Sequence, residues 1–281
     1  MNIGIIGAGV MGRGVALAYA QYGHNIVLVD MEENVLEEAK KQIIRDYRFQ
    51  GMYGKKCEDT IQNILGRITF TTQLENVEMC EYIIENVTEN WEIKKNVYLQ
   101  LNKICNENTI YAVNTSCFSI TRVGALMNKP ENIIGSHYMN PAHIKSTVEV
   151  IKGYHTSEKT INTTLELLKT IEKEGVVVND LPGFVSNRVL MLTVNEAIYL
   201  VHEGVAEAKD VDKIFKQCFG HKMGPLETAD LIGLDTILFS VEVLYESYCD
   251  SKYRPCPLLK KMVNAGLLGR KSGQGFYAYN Y

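Results

Sequence analysis

Two residues of this chain sit where a plain apolar sheet would not put them. Glu149 lies inside the run Thr147-Val148-Glu149-Val150-Ile151, and His137 follows Ile133-Ile134 in the segment Ser136-His137-Tyr138-Met139-Asn140-Pro141. A carboxylate flanked by Val148, Val150 and Ile151 is costly to bury unless it is paired. A histidine on a neighbouring strand is its natural partner, because the carboxylate fixes the imidazole tautomer and raises the basicity of the ring. Such a pair is a general base suited to taking a proton from an alcohol while hydride leaves the same carbon. The pattern alone leaves a second reading open, a buried pair that only holds two strands together. A third polar cluster, Asn114-Thr115-Ser116, closes the apolar run that starts at Ile110. Clusters at strand ends matter because sites in open α/β sheets lie beyond the carboxyl ends of the strands. Cys117, beside Ser116, reads as a small core residue rather than a reactive thiol.

A hydride needs an acceptor, and the first thirty residues supply a place for one. The chain begins with the β-branched run Asn2-Ile3-Gly4-Ile5-Ile6, continues as Gly7-Ala8-Gly9-Val10-Met11-Gly12, and closes a second apolar run at Asp30. Gly7 allows a sharp turn, Gly9 keeps side-chain atoms away from a pyrophosphate, and Gly12 lets the next helix pack closely. The helix N-terminus then offers unpaired N–H groups and a positive dipole end to the phosphates, with Val10 and Met11 in its first turn. A lone GxGxxG is weak. Here it has a strand before it, a helix after it and an acid about 20 residues on. Asp30 suits both ribose hydroxyls and repels a 2′-phosphate, so NAD is expected over NADP. Arg13 reads as a solvated helix-surface residue.

The elements that must carry these groups alternate. Strands are expected at Asn2–Ile6, Ile26–Val29, Ile68–Phe70, Tyr82–Ile84, Ile110–Asn114, Ile133–Met139, Thr147–Ile151 and Val176–Val178, with helices between them. That order indicates an α/β fold with a doubly wound, Rossmann-type sheet. The segments Glu32 to Gln50 and Glu58 to Leu65 make a longer connection than a crossover requires, and are expected to project as a helical hairpin. From Phe184 onward the pattern is helical only, over Arg188–Glu203, Ala208–Phe219, Thr236–Tyr248 and Leu258–Ala265. Leu181-Pro182-Gly183 is a natural hinge. The expected domains are therefore 1–183, binding the dinucleotide, and 184–281, all-helical.

Bulk properties narrow the partners. A length of 281 residues allows two ordinary domains, and 46% hydrophobic with 22% charged residues is a globular composition. A net charge of −4 and the lack of basic runs argue against nucleic acid. No apolar stretch reaches the roughly 18 residues of a membrane span, and a strand starting at Asn2 leaves no room for a leader. The seven cysteines show no CxxC pair, so they read as reduced thiols, in keeping with a cytoplasmic location. No metal-ligand spacing is present.

With these residues set in order, the sequence resembles the L-3-hydroxyacyl-CoA dehydrogenases, most closely the short bacterial 3-hydroxybutyryl-CoA dehydrogenase type. The resemblance runs through the whole chain. It includes GAGVMG, Asp30, Glu85, Glu89 and Lys94, then Asn114-Thr115-Ser116, His137 with Asn140-Pro141, and Glu149. It continues through Pro182-Gly183-Phe184 with Asn187-Arg188, Met223-Gly224-Pro225, Gly233-Leu234-Asp235 and Gly269 to Tyr277. It implies an NAD-dependent dehydrogenase of a 3-hydroxyacyl-CoA thioester, of the kind used in fatty acid metabolism. His137 resembles the catalytic base and Glu149 the carboxylate that orients it. Ser116 and Asn187 resemble the donors to the reacting oxygen, although each has a local alternative as a helix cap. Glu89, Lys94 and Asn114 resemble cofactor contacts, and Asn140 a further active-site amide. The resemblance also implies a helical domain that covers the substrate and forms a homodimer.

One segment departs from the family. Ala142-His143-Ile144-Lys145-Ser146-Thr147 is more polar than usual, which favours a short or polar acyl group, and His143 reads as a loop or surface residue. Lys55 and Lys56 are candidates for the phosphates of CoA. An acyl carrier protein thioester is the alternative substrate, and a non-catalytic dinucleotide-binding relative is a further one. A hydroxyisobutyrate-type dehydrogenase shares the two-domain plan but relies on a catalytic lysine, which the His–Glu pairing disfavours.

Overall fold

A computed structural model describes residues 1–54 and 59–279. The chain divides into two compact units, Met1–Asp180 and Leu181–Tyr281. The first is built on one eight-stranded sheet in the order β3-β2-β1-β4-β5-β6-β7-β8. Its strands are β1 Asn2–Ile6, β2 Asn25–Val29, β3 Ile68–Thr71, β4 Tyr82–Glu85, β5 Ile110–Val113, β6 Ile133–Tyr138, β7 Thr147–Lys152 and β8 Glu174–Asn179. The first six run parallel, and the β1, β4, β5 and β6 interiors are buried on both faces, as continuous Ile/Val runs require. The Rossmann-type expectation is met.

The far end of the sheet adds a feature that strand order alone did not supply. β7 pairs antiparallel with β6, and β8 pairs parallel with β7. Residues 139–146 link β6 to β7, too short a connection for a parallel crossover. In this register His137 stands directly opposite Glu149.

The helices of the unit are α1 Val10–Ala20, α2 Glu33–Phe49, α3 Ile61–Gly66, α4 Trp91–Ile104, α5 Ile120–Gly124 and α6 Glu158–Lys169. Leu36, Ala39 and Ile43 of α2 and Ile64 of α3 repeat at helical spacing and are buried in the main core. The pair α2 and α3 is therefore packed on the body for most of its length, where projection was expected. At its distal end even the large apolar residues Phe49 and Met52 are exposed.

The second unit holds α7 Ser186–His202, α8 Ala208–Phe219, α9 Pro225–Ile232, α10 Leu234–Tyr248 and α11 Pro257–Asn264. Their apolar faces meet in one core that includes Met191, Val194, Ile198, Leu226, Ile237 and Leu244. Two buried aspartates fasten its end. Asp212 accepts from the backbone of Leu226 and Glu227, both 2.9 Å, and from the Tyr277 hydroxyl at 2.7 Å. Asp230 accepts from the backbone of Phe276 (3.0 Å) and Tyr277 (2.9 Å). Each carboxylate thus replaces its hydration shell with protein donors. Among the described residues, no helix is long and apolar enough to cross a membrane.

Candidate active site

The turn after β1 is shaped by glycine. Gly7 has φ +92°, and a Cβ on Gly12 would overlap the Gly7 carbonyl, so the loop folds back on the first turn of α1. It is this loop carbonyl, more than the sheet, that Gly12 accommodates. A Cβ on Gly9 would meet nothing within 4 Å. The N-terminus of α1 has no side-chain cap, Val10 is exposed there and Met11 is half-buried. Asp30 reaches across and accepts from the Ala8 backbone at 2.7 Å and from Glu32 N at 3.3 Å. Free N–H groups, open space at Gly9 and a fixed carboxylate are what a dinucleotide's pyrophosphate and ribose require. Arg13 turns away from Asp30, its Nε 4.0 Å from Asp46 on α2.

The out-of-place histidine and glutamate are joined. His137 Nδ1 lies 2.8 Å from Glu149 Oε2, with the two residues 6% and 8% exposed. An ionised carboxylate only accepts, so Nδ1 carries the proton and Nε2 is left as the acceptor. The Ser116 Oγ is 3.0 Å from Nε2 and donates to it. The result is an ordered chain, Glu149 to His137 to Ser116, with the basic nitrogen facing the Ser116 hydroxyl.

Ser116 is itself held. Glu89 accepts from Ser116 N at 2.9 Å and from Thr115 Oγ1 at 3.0 Å. Lys94 lies 3.9 Å from Glu89 and is bound to both oxygens of Glu85, at 2.9 and 3.0 Å. Burial raises the Glu85 carboxyl pKa above its ordinary value, and the Lys94 ammonium opposes that rise. Lys94 is fully buried behind Glu89, where a charge near a helix start is usually exposed. Asn114 donates to Asn86 Oδ1 at 2.7 Å and accepts from Tyr138 N at 3.2 Å, which fixes its amide. Asn86 was not singled out from the sequence, although it follows the apolar end of β4. The Cys117 thiol is pushed up to about 12 by burial and by Glu89, so it is protonated at neutral pH and a poor nucleophile.

The local alternatives also have answers. Ser119, not Ser116, caps α5, accepting from Arg122 N. In the second unit α7 starts after Val185 without a side-chain cap, so Asn187 is a helical residue of its first turn and not the cap. Asn140 is exposed in the loop after β6. His143 is only 5% exposed, against the expectation of a surface position. The neighbouring Ala142 packs where Gly14 of α1 leaves space, and this draws the loop inward. A groove of about 420 Å³ runs between α1, α2 and this loop, lined by Arg13, Arg45, Phe49, Met52, Asn140 and His143 among others. Lys55 and Lys56 lie outside the described residues.

Residues 2–181 match the 3-hydroxyacyl-CoA dehydrogenase, NAD binding domain, and residues 183–279 match the 3-hydroxyacyl-CoA dehydrogenase, C-terminal domain. The chain is 44% identical over 278 residues to a probable 3-hydroxybutyryl-CoA dehydrogenase of Bacillus subtilis, covering 99% of this chain and 97% of that one. It is 39% identical over 280 residues to the 3-hydroxybutyryl-CoA dehydrogenase of Clostridioides difficile, covering all of both. The crystal structure of (S)-3-hydroxybutyryl-CoA dehydrogenase from Ralstonia eutropha superposes with a TM-score of 0.95 at 38% identity, covering 100% of this chain and 99% of that one. Matched in order through both units, the chain belongs to the 3-hydroxyacyl-CoA dehydrogenase family of NAD-dependent oxidoreductases.

Proposed function

We propose that the protein interconverts a short-chain 3-hydroxyacyl-CoA and its 3-keto form, with 3-hydroxybutyryl-CoA as the reference substrate. The observation that carries this reading is the Glu149–His137–Ser116 chain. His137 Nε2 takes the C3 hydroxyl proton, and Glu149 stabilises the imidazolium that forms. Ser116, held at its backbone by Glu89, donates to the substrate oxygen once that oxygen is in place. When bound, NAD supplies the acceptor for the C3 hydride. Asp30, the N–H groups of the Gly7–Gly12 loop, Asn114 and Glu89 hold and orient that cofactor, with Lys94 supporting Glu89.

The groove between α1, α2 and the loop after β6 supports a phosphorylated carrier. Arg13 and Arg45 outnumber Asp46, and exposed Phe49 and Met52 offer an apolar shelf. The test is the reduction of acetoacetyl-CoA by NADH in the unmodified and Arg13→Ala/Arg45→Ala proteins. The double variant raises KM for acetoacetyl-CoA by about 10-fold, as expected for two partly exposed charge contacts, and added salt narrows the difference. A truncated pantetheine thioester is unaffected. No turnover of acetoacetyl-CoA by the unmodified protein rejects the activity. Normal turnover with a strong preference for a carrier-protein thioester rejects only the CoA carrier.

The helical unit is proposed to make a homodimer. Ile214 and Phe219 of α8, Leu231 of α9 and Phe239 of α10 are large apolar residues left exposed. Sedimentation at micromolar concentration is expected to give twice the chain mass, and a monomer overturns the assignment. Cys80, Cys105, Cys117, Cys218, Cys249 and Cys256 are free thiols, which fits a reducing compartment, and we propose a cytoplasmic location.

A further inference from the structure

The loop that carries Ser116 is tied at two ends. One end is Glu89, through Thr115 and Ser116. The other is Asp180, whose Oδ2 accepts from the Ser119 hydroxyl and from Thr121 N, both at 2.8 Å. Asp180 is not in the catalytic chain and bears none of the motifs that carry the chemistry. Its own backbone N–H donates to Lys152 O at the end of β7, at 3.2 Å. Glu149 is on that same strand, and β8, which ends just before Asp180, pairs with β7 in register from Thr147–Glu174 to Lys152–Asn179.

Two routes therefore join Ser116 to Glu149. The short one passes through the His137 imidazole. The long one passes from Ser116 along the loop to Ser119 and Thr121, across to Asp180, and back through β8 and β7. A hydroxyl on an irregular loop has few restraints of its own. The second route sets the distance from Ser116 Oγ to His137 Nε2 independently of the hydrogen bond between them.

We propose that Asp180 is a positioning residue for the reaction, acting on turnover by holding the Ser116 hydroxyl at His137. The inference rests on the dehydrogenase reading above. Proton and hydride transfer depend steeply on geometry, and a displacement of about 1 Å costs up to about 100-fold in rate. Asp180→Ala removes both contacts to the loop. Asp180→Asn keeps an acceptor oxygen there.

The experiment is a double-mutant cycle read by steady-state kinetics with 3-hydroxybutyryl-CoA and NAD, alongside NADH binding and thermal melting. Asp180→Ala is expected to lower kcat about 10-fold, with KM for the thioester and NADH affinity within about twofold. Asp180→Asn recovers most of the loss. In a Ser116→Ala background, Asp180→Ala changes kcat less than twofold, because the group it positions is gone. Full kcat in Asp180→Ala overturns the proposal, and so does an equal loss in the two backgrounds. Should Asp180→Ala fail to fold, Ser119→Ala replaces it in the same cycle with the same two deciding outcomes. An unmodified protein that does not turn over 3-hydroxybutyryl-CoA overturns the dehydrogenase reading instead, so the two failures are distinct.

Discussion

His137→Gln is expected to lower kcat by about 10²–10⁴-fold while NADH affinity stays within about twofold. The ring is the only imidazole of the Glu149–His137–Ser116 chain, and its Nε2, facing Ser116, is the basic atom. Glutamine fills similar space and keeps a hydrogen bond to Ser116, but it has no site that accepts a proton at neutral pH. Glu149→Gln is expected to impair turnover comparably by a different route. A side-chain amide can donate to Nδ1, which places the proton on Nε2 and removes the base. Neither residue belongs to the Gly7–Gly12 loop or to Asp30, so the cofactor should bind both variants normally. Stopped-flow and steady-state kinetics with fluorescence titration of NADH make the comparison. A His137→Gln enzyme that keeps more than about a tenth of its turnover would show that the pair only joins β6 to β7.

Much of this chemistry was legible because it violated local expectation. Glu149 within Val148, Val150 and Ile151 announces a partner, and an acid at the end of β2 after a glycine loop announces a ribose. The sheet was equally legible, since most strands that pair on both sides hold a short run of branched apolar residues, Ile5-Ile6 in β1 and Ile83-Ile84 in β4 among them. The direction of β7 was missed, although the eight-residue link at 139–146 bore the signal in its length. Helix α9 was missed because eight residues scarcely fill two turns, and its start rests on Gly224, Pro225 and the Glu227 contact back to Gly224 N at 3.1 Å. The burial of Lys94 and His143 was not legible in the sequence. Lys94 is buried against Glu85, and Ala142, the neighbour of His143, packs against Gly14 of α1, far off in sequence. The Asp180 contacts to Ser119 and Thr121 span about sixty residues and leave no local trace.

NAD is expected to surpass NADP by about 10²–10³-fold in kcat/KM, and the margin should depend on Asp30. The carboxylate stands at the end of β2, pinned to the glycine loop through Ala8 N at 2.7 Å and steadied by Glu32 N at 3.3 Å. It cannot swing aside without giving up those bonds. A 2′-phosphate brought against it meets a like charge that stays in place, a cost of several kcal/mol, and each 1.4 kcal/mol is tenfold. Arg13, the cation nearest in sequence to the loop, offers no relief because its guanidinium is turned to Asp46. Two substitutions separate charge from position. Asp30→Asn removes the charge and keeps an acceptor for Ala8 N, so discrimination should shrink to about 10-fold with little loss of NAD turnover. Asp30→Ala removes both, so discrimination should shrink alike while kcat/KM for NAD falls about 10-fold further as the loop relaxes. Initial rates at saturating thioester, with each cofactor varied in turn, measure both effects. Equal kcat/KM for NAD and NADP in the unmodified protein would remove Asp30 from the cofactor site, and equal discrimination in the Asn variant would show that shape, not charge, does the selecting.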